Sequence, residues 1–317
     1  MRNVLIFLLS LFSLLCNGQS PKLFTTDKEL SSSLINQIYQ DRNGFIWIAT
    51  EDGLNRYDGA KFTIYKHEPN NEHSLAHNFV RTVFEDSKGH LLIGTYIGIQ
   101  MYDPATDNFT PLAKLEDTGE TLESNINSFI ERKNGEIWVS GNVLCKLNIK
   151  DHLLTVRKVD IAVTSPGSLF EDKKQNVWMA KGEEGVYQLT PDNQLTLHLS
   201  KDNGYVKSIC EDQRGNIYVG SIRKGLFIYD KECKTFVPVD LKEKGELPVC
   251  FLYSGIPNEL YIGTDGKGVA IYNIRTHEIS EYKFDNNYFD SGNSKIHSIL
   301  KDNSGNLWLA VYQKGVI

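Results

Sequence analysis

Short apolar runs alternate with polar turns along the chain, and together they recur as one repeated unit. The first unit covers residues 38–50, where Ile46, Trp47 and Ile48 form an apolar run after a polar turn. Six further units cover residues 83–95, 129–141, 169–181, 209–221, 252–264 and 299–311. The slot of Trp47 recurs every 40 to 47 residues. A period of this length in strand-like sequence is typical of the blades of a β-propeller.

Each unit predicts a blade of four antiparallel strands. The first strand leads into a turn that in most copies reads Asp-x-x-Gly, as at residues 41–44, and this pattern suits a type I turn. The second strand is apolar throughout, so it is expected to be buried on both faces. A third strand follows a glycine, and a fourth follows a further turn. We therefore predict an all-β fold, a seven-bladed β-propeller of four-stranded antiparallel blades with the last blade truncated.

One slot of the second strand holds a small residue in every copy. Its members are Ala49, Gly94, Ser140, Ala180, Gly220, Gly263 and Ala310. Seven small residues in seven copies predict that a neighbouring blade approaches closely at this slot.

The two ends of the sequence predict how the ring closes. Residues 316–317 align with the start of a third strand, so we infer a piece of a longer chain. Residues 23–26 resemble a fourth strand and are expected to supply the outer strand of blade seven. Because the third strand is so short, this outer strand is expected to lack a ladder neighbour, and Trp308 and Leu309 are expected to lose part of their cover.

The N-terminus has the pattern of a secretory signal. Arg2 precedes an apolar run at residues 4–15, and small and polar residues follow. The run is short for a membrane span, which needs roughly 20 residues. We assign residues 1–18 to a signal peptide and 19–317 to the propeller. An uncleaved anchor and a lipid-bearing Cys16 are the alternatives.

Charge and cysteine usage exclude several function classes. The formal net charge is −6 and the chain has no basic block, which gives no electrostatic reason for nucleic acid binding. No Cys-x-x-Cys motif occurs, so zinc and redox motifs are unsupported. Cys145 and Cys210 lie in apolar strand-like runs and are expected to be buried thiols. We expect no cofactor and no metal.

Residues 40–59 closely resemble the first repeat of the two-component-regulator propeller family, and residues 73–80 before blade two are similar to the same family. This family forms the periplasmic sensor of hybrid two-component histidine kinases. The resemblance covers essentially the whole mature chain. It implies an exported sensor on the periplasmic side of the inner membrane, forming the N-terminal part of such a kinase.

The resemblance also implies a ligand and partners. In the family two such propellers precede an immunoglobulin-like domain, a membrane helix and a histidine kinase, and the ligands are usually oligosaccharides. An oligosaccharide ligand is therefore expected, with the second propeller and the immunoglobulin-like domain of the parent chain as partners. Contact with the membrane is expected only through segments absent from this sequence. The parent protein forming a homodimer is a further alternative.

No motif in the sequence specifies catalysis. Residues 41–45 depart from the spacing of a calcium loop, and residues 263–268 are rich in glycine but lack Gly-Lys-Ser/Thr. We therefore expect no catalytic residue and no enzymatic activity in these 317 residues, although the parent is expected to be a histidine kinase. A secreted propeller enzyme of the glycosidase or lyase type and a non-catalytic protein-interaction propeller are the alternatives, since convergence of two carboxylates cannot be read from the sequence.

Ligand recognition is expected on one face of the propeller. Loops between second and third strands share that face with the connections between blades, and the regular turns line the opposite face. Variable loops are the usual recognition elements. The candidate ligand-binding residues are Tyr96, Glu183, Arg223, Asp265 and Tyr312. Aromatic rings can stack on sugars, and Arg or Asp can bind hydroxyl groups.

Overall fold

The computed structural model describes residues 21–199, 204–241, 247–283 and 290–317. In this part of the chain seven sheets form seven blades, and the first strand of each blade lies against the first strand of the next. The first strand of blade seven contacts that of blade one, so the ring is closed. The predicted seven-bladed β-propeller is confirmed. The predicted signal peptide, residues 1–18, lies outside the described residues.

The first four blades follow one another along the chain. Blade one comprises β1 (Ile35–Gln40), β2 (Ile46–Thr50), β3 (Gly53–Tyr57) and β4 (Phe62–Tyr65). Blade two comprises β5 (Val80–Glu85), β6 (Leu91–Thr95), β7 (Ile99–Asp103) and β8 (Asn108–Phe109). Blade three comprises β9 (Lys114–Leu115), β10 (Ser128–Glu131), β11 (Ile137–Ser140), β12 (Leu144–Lys150) and β13 (Leu153–Lys158). Blade four comprises β14 (Leu169–Glu171), β15 (Val177–Lys181), β16 (Gly185–Leu189) and β17 (Leu195–Leu199).

The last three blades complete the ring. Blade five comprises β18 (Val206–Glu211), β19 (Ile217–Ser221), β20 (Gly225–Asp230) and β21 (Thr235–Pro238). Blade six comprises β22 (Val249–Ile256), β23 (Glu259–Thr264), β24 (Val269–Asn273) and β25 (Ile279–Glu281). Blade seven comprises β26 (Ile296–Lys301), β27 (Leu307–Val311) and β28 (Gly315–Val316). Nowhere in the described ranges is a helix long and apolar enough to cross a membrane.

Blade three differs from the prediction because it has a fifth strand. The connection from blade two runs along the outside of blade three, where β9 pairs in parallel with β13. Its register places Lys114 opposite Thr155 and Leu115 opposite Val156. The added strand pairs with backbone groups that an outer strand would otherwise expose to water.

The N-terminal segment closes the ring through blade seven, as predicted. The backbone nitrogen of Phe24 donates to the Val316 carbonyl at 2.8 Å, and the Val316 nitrogen donates back to Phe24 at 3.1 Å. The expectation that this outer strand lacks a ladder neighbour was therefore wrong. The expected loss of cover is small: Leu309 is 1% exposed, and Trp308 is 8% exposed, compared with 0–3% for the other three tryptophans in the same position. The two residues of β28 are enough to join the Phe24 segment to β27. The ring of Phe24 stacks on that of Trp308.

The small slot of the second strand marks the contact between blades, as predicted. A Cβ atom placed on Gly94 would lie 2.7 Å from Cγ2 of Ile126 in blade three. One placed on Gly263 would lie 2.7 Å from the carbonyl oxygen of Ile296 in blade seven. Both distances are too short for real contacts, so any side chain beyond a hydrogen atom would force these blades apart.

The recurring Asp and Trp residues form one local structure. The carboxylate of Asp41 accepts hydrogen bonds from the backbone nitrogens of Asn43 and Phe45, both at 3.0 Å. Its second oxygen accepts from Nε1 of Trp47 at 2.8 Å. The same bond joins Trp178 to Asp172 and Trp308 to Asp302. One carboxylate thus caps the turn and satisfies the only polar group of a buried indole.

In several blades the last residue of the first strand forms a hydrogen bond to the turn of the preceding blade. The Glu85 carboxylate accepts from the backbone nitrogen of Arg42 at 2.7 Å. Gln40 accepts from the backbone nitrogen of Asn303 at 2.7 Å, which makes the same link between blades seven and one. Equivalent links join Ser87 to Glu131 and Lys133 to Glu171. These bonds fix neighbouring blades at the face that carries the regular turns.

Candidate functional site

A cavity of about 690 Å³ lies where the first strands of the blades begin. One residue from each blade lines it at an equivalent position, and we call these seven residues the pore ring. The pore ring consists of Asn36, Arg81, Asn127, Gly167, Lys207, Cys250 and His297. The cavity is thus built by the whole ring of blades and not by a single loop.

Strand register places the pore ring at the centre. The pore-ring residue lies two positions before the first apolar residue of each repeat. In five of the seven blades the pairing of the first and second strands shifts by one residue there, and this bulge turns its side chain towards the cavity. In β5 that residue is Arg81, and in β18 it is Lys207. The residues just before them, such as Val80 and Val206, are fully buried between blades.

A second set of side chains makes the cavity wall rigid. Next to the pore ring, Ser208 accepts a hydrogen bond from the backbone nitrogen of Leu252 in the following blade at 3.1 Å. Gln37 accepts in the same way from Val83 at 2.7 Å. Because these bonds tie neighbouring first strands together, the pore ring is held in place before any ligand binds.

Aromatic side chains surround the cavity mouth. Phe79, Tyr205, Phe251 and Tyr312 all line it. The ring of Tyr312 lies 5.0 Å from the imidazole of His297, measured between centroids. Tyr312 is 37% exposed and Tyr205 is 42% exposed, so both present an accessible ring.

The cavity wall is electropositive near His297. Burial first, and then the neighbouring cations Lys207 and Lys295, lower the pKa of His297 to about 4, against the opposing effect of Asp265. The imidazole is therefore neutral at pH 7. Burial also raises the pKa of the Cys250 thiol, so this group is not a ready nucleophile.

The five residues predicted from the sequence all lie in loops between second and third strands, but only Tyr312 lines the cavity. Tyr96 packs against Phe79, with ring centroids 6.0 Å apart. Glu183 and Arg223 form an exposed ion pair at 3.4 Å between blades four and five. Asp265 forms an ion pair with Lys295 at 2.8 Å.

The sequence prediction missed the pore ring. The seven residues occupy the same position of the repeat, but no single residue type is common to them, so this position does not stand out as a motif. A signal was present, because this slot varies strongly within otherwise similar repeats: it holds a cation in two copies and an amide in two others. Variation at one inward-facing position of a repeat indicates a surface that binds something other than the next blade.

The cavity has few groups suited to catalysis. Among the described residues that line it, Glu51 is the only carboxylate, so the carboxylate pair of a glycosidase is not formed there. Within the described ranges no three His, Cys, Asp or Glu side chains gather as metal ligands would. The arrangement suits binding through hydroxyl, amide, cationic and aromatic groups.

Three segments of the chain match the model of the family described as two component regulator propeller, at residues 29–52, 74–96 and 200–223. A curated relative, histidine kinase P4 of Formosa agariphila, is 39% identical over 83 residues. The match covers 24% of this chain and 6% of that relative, so the chain corresponds to a small part of the relative's length.

Solved structures share the fold. The extracellular domain of a protein described as a hybrid two component system from B. thetaiotaomicron matches with a TM-score of 0.79 and 21% identity, over 93% of this chain and 41% of that one. Virginiamycin B lyase from Staphylococcus aureus matches with a TM-score of 0.69 and 13% identity, over 94% of this chain and 97% of that one. The blades described above and the matched segments agree: this chain is a seven-bladed propeller, and three of its segments match the two component regulator propeller repeat.

Proposed function

We propose that the chain is the ligand-sensing propeller of a hybrid two-component sensor histidine kinase and that it detects an oligosaccharide in the central cavity. The observation that carries this proposal is a rigid polar and aromatic cavity inside a propeller of regulator repeats. The relative described as a histidine kinase and the extracellular domain described as part of a hybrid two component system support it. Signalling would pass to kinase domains outside these residues.

The cavity has the size and groups that a sugar ligand needs. Its volume of about 690 Å³ lies within the range of about 300–1,000 Å³ that is usual for ligand pockets. Tyr312 and Tyr205 offer exposed ring faces for stacking against pyranose rings. Asn36 and Asn127 each donate from the amide to a backbone carbonyl, of Val80 and Pro166 respectively, which fixes their orientation towards ligand hydroxyls.

The other predicted residues are proposed to form the rim of the same site. Tyr96, Glu183, Arg223 and Asp265 lie in equivalent loops on the face where the cavity opens. Glu183 and Arg223 are paired with each other, and Asp265 is paired with Lys295. A ligand that reached the rim would exchange these exposed ion pairs for contacts with its hydroxyl groups.

The proposal includes export to the periplasmic side of the inner membrane. The apolar run near the N-terminus has the pattern of a removed signal peptide, residues 1–18. The second propeller and the immunoglobulin-like domain of the parent chain would be the partners of this domain. Membrane contact would come through other segments of the parent.

Binding of neutral and acidic tetrasaccharides to the purified chain, measured by calorimetry, tests the sensing function. Tyr312→Ala should weaken binding about tenfold, because loss of a stacked ring removes roughly 1–2 kcal/mol. Leu153→Ala, which changes a 67% exposed side chain outside the cavity, is the control. Absence of binding to every sugar, or equal binding by the Tyr312 variant, would contradict the proposal.

The lyase-like fold match motivates a second measurement. Product analysis after long incubation with the same sugars should show no cleavage, because the described cavity lining contains a single carboxylate. Cleavage that disappears in the variant His297→Ala would favour the propeller enzyme over the sensor.

A further inference from the structure

The charge of the central cavity is opposite to that of the whole chain. The formal net charge of the chain is −6. The described residues that line the cavity include three cations, Arg81, Lys181 and Lys207, and one carboxylate, Glu51. A cavity that carries net positive charge attracts negatively charged ligands, even on a protein that is acidic overall.

Two of these cations lack a counter-ion. Lys181 is paired with Glu184 at 2.8 Å. Neither the guanidinium of Arg81 nor the ammonium of Lys207 makes an ion pair or hydrogen bond with any described residue, and the one ring near the guanidinium is that of Phe79, at 5.8 Å. By contrast, the half-buried Arg132 is bound to Glu171 at 2.8 Å. Arg81 is partly buried, and without a charge partner among the described residues its guanidinium is available to a negatively charged ligand.

The two cations lie on opposite sides of the ring. Arg81 belongs to blade two and Lys207 to blade five, so two blades lie between them on one side of the ring and three on the other. Their side chains line one cavity, and their placement suits an extended ligand with more than one negative group. The low pKa of His297, caused first by burial and next by Lys207, agrees with a positive potential there.

We propose that the central cavity binds an acidic oligosaccharide, with its carboxylate or sulfate groups held by Arg81 and Lys207. This inference rests on the proposed sensing function and specifies its ligand class. The guanidinium fork of Arg81 matches a carboxylate or sulfate in two hydrogen bonds, and Lys207 supplies a point charge. Tyr205 and Tyr312 at the mouth supply ring faces for the sugar units between the charges.

Calorimetry with three tetrasaccharides of equal length tests the ligand class. One is a tetragalacturonate, one a sulfated galactotetraose and one a neutral galactotetraose. We expect at least one acidic sugar to bind about tenfold or more tightly than the neutral one, and its affinity to fall as salt is raised. The comparison of the two acidic sugars shows whether carboxylate or sulfate is the preferred group.

Matched variants locate the site. Arg81→Gln and Lys207→Gln should each weaken binding of the acidic sugar about tenfold, because each removes a charge-assisted contact, and should leave weak binding of the neutral sugar unchanged. Lys88→Gln removes the same charge from an exposed turn on the opposite face and should have no effect. Because Lys207 is exposed, its variant should fold even if the variant of the half-buried Arg81 does not.

The outcomes separate this inference from the function on which it rests. If the neutral sugar binds as tightly as the acidic sugars and Lys207→Gln changes nothing, the acidic ligand class is wrong while the sensing function stands. If none of the three sugars binds, the sensing function fails and this inference fails with it. If Lys88→Gln lost as much affinity for the acidic sugar as Lys207→Gln, the effect would be one of overall charge, and the assignment to the cavity would be wrong.

Discussion

The hydroxyl of Ser298 in blade seven accepts a hydrogen bond from the backbone nitrogen of Ile38 in blade one, across 3.1 Å. Both residues are buried, and they lie 260 positions apart in the sequence. This bond therefore joins the ends of the ring at its innermost strands. Ser208 makes the equivalent bond to Leu252 between blades five and six, so the closing contact uses the same chemistry as an ordinary contact between neighbours.

Ser298→Ala should destabilise the propeller by about 1–3 kcal/mol, because it leaves the buried amide of Ile38 without a partner. The free energy of unfolding in urea measures this loss. Ser304→Ala removes an exposed hydroxyl from the nearby turn and should change stability by less than about 0.5 kcal/mol. Equal stability of the two variants would show that the ring closes without help from this bond.

Gly263→Ala should destabilise the chain by about 1–3 kcal/mol, since the new methyl group would lie 2.7 Å from the Ile296 carbonyl oxygen of the next blade. Gly255→Ala is the matched control. There the methyl group meets the ring end of Tyr253, a side chain that can move aside. Thermal unfolding of both variants decides the point, and an unchanged melting temperature for Gly263→Ala would contradict the tight packing of blades.

Stability should fall in acid partly through Glu136. A hydrogen bond from Lys146, with further bonds from Trp138 and Asn134, lowers the pKa of Glu136 from 4.5 to about 2. Because the unfolded chain takes up this proton at higher pH than the folded one, the contribution of Glu136 is present above pH 4.5 and is lost as the pH falls towards 2.

The variant Glu136→Gln measures that contribution. Its melting temperature should lie below that of the unaltered chain at neutral pH, and the gap should close as the pH approaches 2. Glu120→Gln changes an exposed carboxylate and should leave the pH dependence as it was. A gap that stays constant across this range would mean that ionisation of Glu136 does not stabilise the fold.

The repeat made most of the fold predictable because propeller blades are defined by local patterns. Trp47 and Asp41 lie six positions apart, and the bond between their side chains is formed within one hairpin. The small residue at Gly94 is also visible as a repeated pattern in the sequence, although the reason for it is the close approach of Ile126 from the next blade. By contrast, β9 forms through pairing with a strand about 40 residues away. It does not belong to the repeat, so the repeated pattern does not predict it.

The candidate site was less predictable because it is assembled from seven blades. Tyr312 was found through its loop, and it does line the cavity. Arg81 and Lys207 were missed, since each looks like an ordinary polar residue at the start of a strand. Only the closed ring brings these two positions to one centre, and only the three-dimensional contacts show that neither side chain forms an ion pair with a described residue.

Of the four cysteines in the described residues, Cys233 should react quickly with a thiol reagent in the folded chain. It is exposed in a turn, whereas Cys145 and Cys250 are buried. Burial raises the pKa of Cys145 to about 11 and that of Cys210 to about 12, which leaves little reactive thiolate at neutral pH. Cys233→Ser should remove the fast reaction, and a fast reaction that persists would show that the core opens readily.

Phe24→Ala should be among the most destabilising single substitutions, at about 3–5 kcal/mol. The ring of Phe24 is 5% exposed and stacks on Trp308, with centroids 5.8 Å apart. It also meets Phe62 of blade one at 5.1 Å, so the substitution leaves a cavity between the first and last blades. Tryptophan fluorescence during urea unfolding should report the loss directly, because Trp308 forms one wall. Thr26→Ala, two residues further on and exposed, should leave the transition in place. If Phe24→Ala unfolds at the same urea concentration as Thr26→Ala, the N-terminal segment does not hold the ring closed in solution, and contacts between first strands such as Ser298 to Ile38 must close it alone.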